Sequence, residues 1–345
     1  SLSSKLKSMK TYDWFMGIDV SKGKLDIALL KGNEKQYQGI VENNVTAIKS
    51  LMKKLHKQYP DFVLNVCLIG VEHTGIYNNH LLVVAQEQKW NLCLESATHI
   101  KQSGGLQRGK NDKVDALRIA QYVYKNRAEI KLWQPAREVI TQLKQFTGMR
   151  HRLIAAKKQL EIALKENESF HTRQVTKTMA ACCKKSIQAL AADIALTESK
   201  IQQVIENDSE LKRLFTIVTS VPGVGVVTAT SIIVSTNEFK GIKEPRKYAC
   251  YAGVAPFEHS SGSSIRGKTR VSRKANLHAK SLLHMVAMTS ILHNTEMKLY
   301  YERKVAEGKS KMNVINAVRN KIVHQIFACV RDNRRYEKIY SPILA

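Results

Sequence analysis

The first strongly apolar stretch of the chain, Trp14-Phe15-Met16-Gly17-Ile18-Asp19-Val20, carries apolar residues at odd and even positions alike. That is the pattern of a strand covered on both faces. It runs into Ser21-Lys22-Gly23-Lys24, and residues 24–30 and 35–41 read as two more strands, with Gly32-Asn33 as a hairpin-like connection. Val45, Ile48, Leu51, Met52 and Leu55 then recur at helical spacing as far as Pro60. A very apolar strand over 62–71 delivers Glu72, residues 80–88 form a second helix, and residues 90–94 a further strand. Three hairpin-like strands followed by helix, strand, helix and strand predict a mixed sheet with covering helices.

A polar loop, Thr98-His99-Ile100-Lys101-Gln102-Ser103-Gly104-Gly105, follows and is placed to touch phosphates. Residues 111–125 read as a helix with Ala116, Leu117, Ile119, Ala120, Tyr122 and Val123 on its apolar side. Leu132-Trp133-Gln134-Pro135 marks a domain exit. Residues 138–215 contain no proline and a single glycine, Gly148, and show spacings of seven (Leu153 to Leu160, Ile187 to Ile194, Ile194 to Ile201). A helical hairpin, a dimeric coiled coil and an ordinary helical bundle all satisfy that pattern. Ser220-Val221-Pro222-Gly223-Val224-Gly225 resembles a helix-hairpin-helix turn, in which backbone N–H groups hold a phosphate. Residues 226–235, 277–293 and 314–330 read as helices. The expected domains are 12–135, 136–215 and 216–335.

Charge changes the picture next. Lys and Arg number 55 against 29 Asp and Glu, a formal net charge of +26, and the basic residues cluster. Such a field favours a polyanionic partner, nucleic acid above all. No apolar run reaches the roughly 18 residues that cross a bilayer, and no signal-peptide core stands at the N-terminus, so a cytoplasmic, nucleoid-associated protein is expected. The six cysteines lack a C-x-x-C spacing, which argues against structural zinc, and the vicinal Cys182-Cys183 pair reads as two small helix residues.

Within this frame four carboxylates carry the chemistry. Asp19 ends an apolar strand, where desolvation disfavours its charged form unless a cation or donors stabilise it. Glu72 ends another strand, and Asp112 and Asp115 are i and i+3 on one helix face near its N-terminus, where the dipole favours anions. Four carboxylates at one point repel unless divalent cations neutralise them. Hard oxygen ligands suit Mg²⁺, and two such ions can serve phosphoryl transfer on nucleic acid.

Gly17-Ile18-Asp19-Val20-Ser21-Lys22, Glu72 with Thr74-Gly75, and Lys110-Asn111-Asp112-Lys113-Val114-Asp115-Ala116 resemble the RuvC-like (RNase H fold) DEDD domain of a family of bacterial insertion-sequence transposases guided by a bridge RNA. Val221-Pro222-Gly223-Val224-Gly225, Tyr251-Ala252-Gly253-Val254-Ala255-Pro256 and Ser261-Gly262 with the basic run from Arg266 to Lys274 resemble that family's C-terminal transposase domain. The resemblance spans nearly the whole chain. It implies an α/β RuvC-like N-terminal domain, a long coiled-coil-like helical middle, and a mainly α C-terminal domain.

It further implies a DNA recombinase in which Asp19, Glu72, Asp112 and Asp115 hold Mg²⁺, about two ions per site, and a serine attacks the DNA phosphate to give a covalent protein–DNA link. By motif position that serine is Ser261, with Ser260 as the fallback. His259 is left outside the catalytic set. Lys22, Lys101, Lys110, Gly223, Gly225, Arg266, Lys268, Arg270, Arg273 and Lys274 are the expected nucleic-acid contacts. The implied partners are donor and target DNA, a structured guide RNA, and further copies of the chain, a dimer or, on synapsis, a tetramer. The competing readings are a junction-resolving nuclease that uses water, and an actin-like sugar kinase. The kinase would need a late glycine-rich adenosine motif that the chain lacks.

Overall fold

The computed structural model describes residues 11–103, 112–261, 265–271 and 275–337, with 102, 112–113, 256–261 and 265–271 as backbone only. Its contacts divide the chain into two compact units, Ser1–Pro135 and Ala136–Ala345. Among the described residues no helix is long and apolar enough to cross a membrane.

Unit 1 is a five-stranded mixed sheet. Strands β1 (Trp14–Val20), β2 (Lys24–Lys31) and β3 (Glu34–Glu42) form an antiparallel meander, and β4 (Cys67–Glu72) and β5 (Asn91–Glu95) add in parallel, in the order β3-β2-β1-β4-β5. Period-two alternation sorts β1 between two layers. Trp14, Met16, Ile18 and Val20 join Ile27, Ile69 and Leu92 in the core under α1 (Val45–Gln58) and α2 (Asn79–Glu87). Phe15 faces the other way, with Ala28, Leu30, Leu68 and Cys93, against Ala116, Ala120 and Val123 of α4 (Asp112–Asn126). The α/β expectation for this part holds. One correction concerns the polar stretch after β5: residues Ala97–Ser103 form a helix, α3, anchored by buried Ile100 and by Ser96, whose carbonyl and hydroxyl accept from His99 N–H.

Unit 2 is mostly helical. Helices α5 (Glu138–Phe170) and α6 (Arg173–Asn207) are joined by two residues and pack along each other as a hairpin, each about 50 Å long at 1.5 Å per residue. Leu153, Leu160, Ile187 and Ile194 are half-buried, so the sevenfold spacing marks a seam inside one chain. The base of the hairpin, through Ile140, Leu143, Ile201 and Ile205, shares one core with α7 (Ser209–Thr219), α8 (Val226–Ser235), α9 (Pro245–Tyr251), α10 (Leu277–His293), α11 (Thr295–Ala306) and α12 (Lys311–Arg331). Residues 136–215 are therefore grouped with the C-terminal part, because both ends of the hairpin are needed to close that core.

Two elements depart from a purely helical C-terminal part. Strands β6 (Pro256–Ser261) and β7 (Ile265–Val271) form an antiparallel pair, with Ser261 opposite Ile265. A buried ionic knot fixes the entry to the hairpin. Arg137, at the N-cap of α5, donates to Glu238 at 3.0 and 3.1 Å and to Asp208 at 2.7 and 2.9 Å, and the Glu238 side chain is fully buried.

Candidate active site

The register places the acidic positions of unit 1. In β1 and β4, Gly17 lies beside Gly70 and Ile18 beside Val71, where the ladder ends, so Asp19 and Glu72 are the next residues on adjacent parallel strands. Both fall on the side of the sheet that carries Phe15 and Leu68, the side covered by α4. Glycine is required at both preceding positions. A Cβ on Gly17 would lie 2.1 Å from the Ala116 carbonyl oxygen and 2.3 Å from Ala120 N, and one on Gly70 would lie 2.5 Å from a Val123 methyl.

These contacts also fix the direction of α4. Phe15 packs edge-on against Tyr124 with ring centroids 5.0 Å apart, and Gly17 meets Ala116 and Ala120, so the helix runs backwards along β1. One further step of two strand residues, about 6.6 Å, matches one further turn of helix, about 5.4 Å. Asp19 is thus directed to the first turn of α4, which holds Asp112 and Asp115. Three of the four predicted carboxylates, Asp19, Glu72 and Asp115, are described in full, and Asp112 is placed by its backbone at the start of the helix.

The loops around this end of the sheet are tied by short polar contacts. Ser21 Oγ and N–H both donate to the Lys24 carbonyl, at 2.8 and 3.0 Å, closing the β1–β2 turn. Asn43 Nδ2 donates to Ser21 O and Tyr77 O, each at 2.9 Å. Asn78, 1% exposed, donates to the Glu72 carbonyl at 2.9 Å and accepts from Thr74 N at 2.9 Å, which fixes the chain direction as it leaves Glu72.

Two carboxylates that sequence reasoning missed share this end. Asp26 on β2 is the direct cross-strand neighbour of Asp19, and Glu95 on β5 that of Glu72. The signal for Asp26 was periodicity: 26 falls in step with Ala28 and Leu30, which are buried under α4, so a carboxylate there points inward. Glu95 accepts from Ser96 N at 2.9 Å and from Tyr122 Oη at 3.2 Å, and lies 2.9 Å from His99 Nδ1. Burial, and then the Glu95 carboxylate, push the Tyr122 hydroxyl up to about 12, so it stays a donor. Asp115 accepts from Arg118 Nη1 at 2.8 Å.

Among the described residues no three His, Cys, Asp or Glu side chains stand close enough to ligate one ion. The donor set nevertheless fits a hard divalent cation: Asp19, Glu72, Asp112 and Asp115 offer only oxygen from three elements at one sheet end, and beside them the buried Asp26 Oδ1 has no hydrogen-bond partner among the described residues.

The remaining predicted positions are spread over both units. Lys22 and Lys101 are exposed in unit 1. In unit 2, Ser261 is the last residue of β6 and Ser260 pairs with Arg266 of β7. Arg266, Lys268 and Arg270 occupy alternate positions of β7. Lys110, Arg273 and Lys274 lie outside the described residues. The two glycines of the 221–225 turn differ. Gly223 has φ +85° and a Cβ there would lie 2.5 Å from Ser290 Oγ and 2.8 Å from Val286 O, so packing against α10 accounts for it. Gly225 is exposed, caps α8, and faces open space.

Comparison with known proteins defines the class first. Residues 16–169 match a DEDD-type domain model described as "Transposase", and residues 215–302 match one described as "Transposase IS116/IS110/IS902 family". The chain is a DNA transposase or recombinase. It carries both domains of the IS110/IS116 family and belongs to that family. Among its relatives, the pilin gene-inverting protein of Moraxella bovis is 25% identical over 95% of this chain and 98% of its own length. The 43.6 kDa protein of insertion element IS110 from Streptomyces coelicolor is 31% identical over 37% of this chain and 31% of its own. Among solved structures, Thermus thermophilus RuvC in complex with a Holliday junction substrate covers 35% of this chain and 100% of its own, with 14% identity and a TM-score of 0.28.

Proposed function

We propose that this chain cuts and rejoins DNA strands by Mg²⁺-dependent phosphoryl transfer, with Asp19, Glu72, Asp112 and Asp115 as the metal-holding set and Ser261 as nucleophile. The observation that supports this most is the alignment of Asp19 and Glu72 on adjacent parallel strand ends, on the face that α4 covers with its aspartate-bearing first turn. A bound divalent ion would supply charge neutralisation at the scissile phosphate and lower the pKa of the attacking hydroxyl.

The protein's own part is positioning. Asn78 and the Ser21–Lys24 turn hold the strand ends, and the glycines at 17 and 70 let α4 approach. Arg118 donates to Asp115 at 2.8 Å and orients its side chain on the first turn of α4. In the attack, Ser261 Oγ forms a bond to phosphorus and loses its proton, the P–O3′ bond breaks, and the departing O3′ takes up a proton. The product is a 5′-phosphoserine link and a free 3′-hydroxyl, which conserves the phosphodiester energy for rejoining. Guidance by a structured RNA, and assembly into a dimer and then a synaptic tetramer, complete the proposal. The full-length similarity to a protein named for gene inversion suits a reaction that joins two DNA sites.

The test is incubation of the full chain with donor and target DNA, the RNA and Mg²⁺, followed by a denaturing gel for protein-linked DNA. Wild type gives an adduct, and Ser261→Ala abolishes it while retaining DNA binding. An adduct that persists in Ser261→Ala removes that serine from the mechanism. Mg²⁺-dependent cutting with no adduct in wild type points to water as the nucleophile.

A further inference from the structure

Among the described residues of unit 1, the proposed reaction leaves one buried carboxylate unused. Asp26 is 3% exposed, sits directly across the β1–β2 ladder from Asp19, and lies two residues before Ala28, which is buried beneath α4. Side chains directly opposite in an antiparallel pair share a face, with Cβ atoms about 4.5–5.5 Å apart. One Asp26 oxygen, Oδ2, is 3.0 Å from Lys24 Nζ. The other, Oδ1, is buried and has no hydrogen-bond partner among the described residues. A strand that needed only to pack would carry an apolar residue here, as it does at 28 and 30, because a buried oxygen without a donor is costly. The Lys24 side chain is 43% exposed, so its ammonium stands at the rim and fixes the rotamer of Asp26 from outside.

We propose that Asp26 is a positioning residue of the metal pocket, its free Oδ1 acting as a further acceptor for the hydrated divalent cation that Asp19 holds, with Lys24 orienting it. This rests on the reading of Asp19 as a metal-holding carboxylate. It extends the acidic set from strand β1 to strand β2, and it gives the buried oxygen a donor that the described residues do not supply.

The test is calorimetric titration of the full-length protein with Mn²⁺, without DNA, alongside thermal melts in chelator. Asp26→Asn is expected to fold and to bind Mn²⁺ about 10-fold more weakly, the usual scale for a residue that supports a metal ligand. Lys24→Met removes the contact that orients Asp26 and is expected to melt lower in chelator. Asp19→Asn is expected to lose Mn²⁺ binding. Unchanged affinity in Asp26→Asn overturns the proposal and leaves the metal reading standing. Should Asp26→Asn not fold, unchanged affinity in Asp26→Ser, which also removes the carboxylate, overturns it. Full Mn²⁺ binding by Asp19→Asn contradicts the metal reading itself.

Discussion

The approach of α4 to β1 decides whether the aspartates of the helix reach the strand ends, and Gly17→Ala perturbs it at one point. A Cβ there would lie 2.1 Å from the Ala116 carbonyl oxygen and 2.3 Å from Ala120 N. Ordinary contact begins near 3.4 Å, so relief requires the helix to retreat by about 1.3 Å, since both clashing atoms are backbone and neither can rotate away. Overpacking costs about 1–3 kcal/mol, and we expect the upper end, about 3 kcal/mol, because retreat also loosens Phe15, Ala28 and Leu68 from the helix. A displacement of about 1 Å at a reacting centre costs about 100-fold in rate. Urea denaturation measures the first quantity and DNA strand cutting the second. Gly23→Ala is the control, because a Cβ at Gly23 meets nothing within 4 Å. If Gly17→Ala is as stable and active as Gly23→Ala, α4 does not pack on β1 as described, and the placement of Asp112 and Asp115 beside Asp19 fails with it.

Other expectations follow from the second unit. Arg137→Met leaves the buried Glu238 carboxylate without its main partner, and it should lower stability by about 3 kcal/mol, the low end for breaking a buried pair because Arg137 is itself a third exposed. The same knot sets a pH dependence. Burial pushes Glu238 up, but the bonds from Arg137 and Lys240 outweigh it and leave the group below its ordinary 4.5, while Arg137 and the Leu211 N–H hold Asp208 below 3.8. Depressed carboxylates stabilise above their unfolded values and lose that contribution as pH falls through the lower folded ones. Melts from pH 6 to pH 3 should therefore show a stability loss below about pH 4.5 that Arg137→Met largely lacks; parallel curves would refute the assignment. Gly223→Ala should destabilise by about 2 kcal/mol, from its left-handed backbone and the contact with Ser290, whereas Gly225→Ala should be nearly silent in melts. Gly225→Glu, placing an anion at the open N-terminus of α8, should weaken binding to duplex DNA in a salt-dependent way; unchanged affinity would exclude that terminus as a phosphate contact.

How far the sequence could be read follows from these elements. The strands of unit 1 were legible because both faces of β1 and β4 are buried, which writes a near-continuous apolar run broken only by Gly17, Gly70 and the terminal Asp19 and Glu72. The long helices were legible from their sevenfold seam, but whether that seam faced another copy or its own chain is a tertiary fact the spacing does not hold. The helix at Ala97–Ser103 was missed because most of its residues are polar and, among the described side chains, only Ile100 is buried. The β6–β7 pair was missed because its serines, glycines and arginines show no apolar alternation. Asp26 escaped notice because an aspartate in a strand reads as a solvent-facing residue until the pairing shows which face it shares.

Anomalous scattering from crystals of the full-length protein soaked in Mn²⁺ would locate a cation held by Asp19 and Glu72. A peak is expected about 2.0–2.2 Å from carboxylate oxygens of Asp19 and Glu72 and against the first turn of α4. Full Mn²⁺ occupancy elsewhere on the protein, with no peak between those two strand ends, would contradict it.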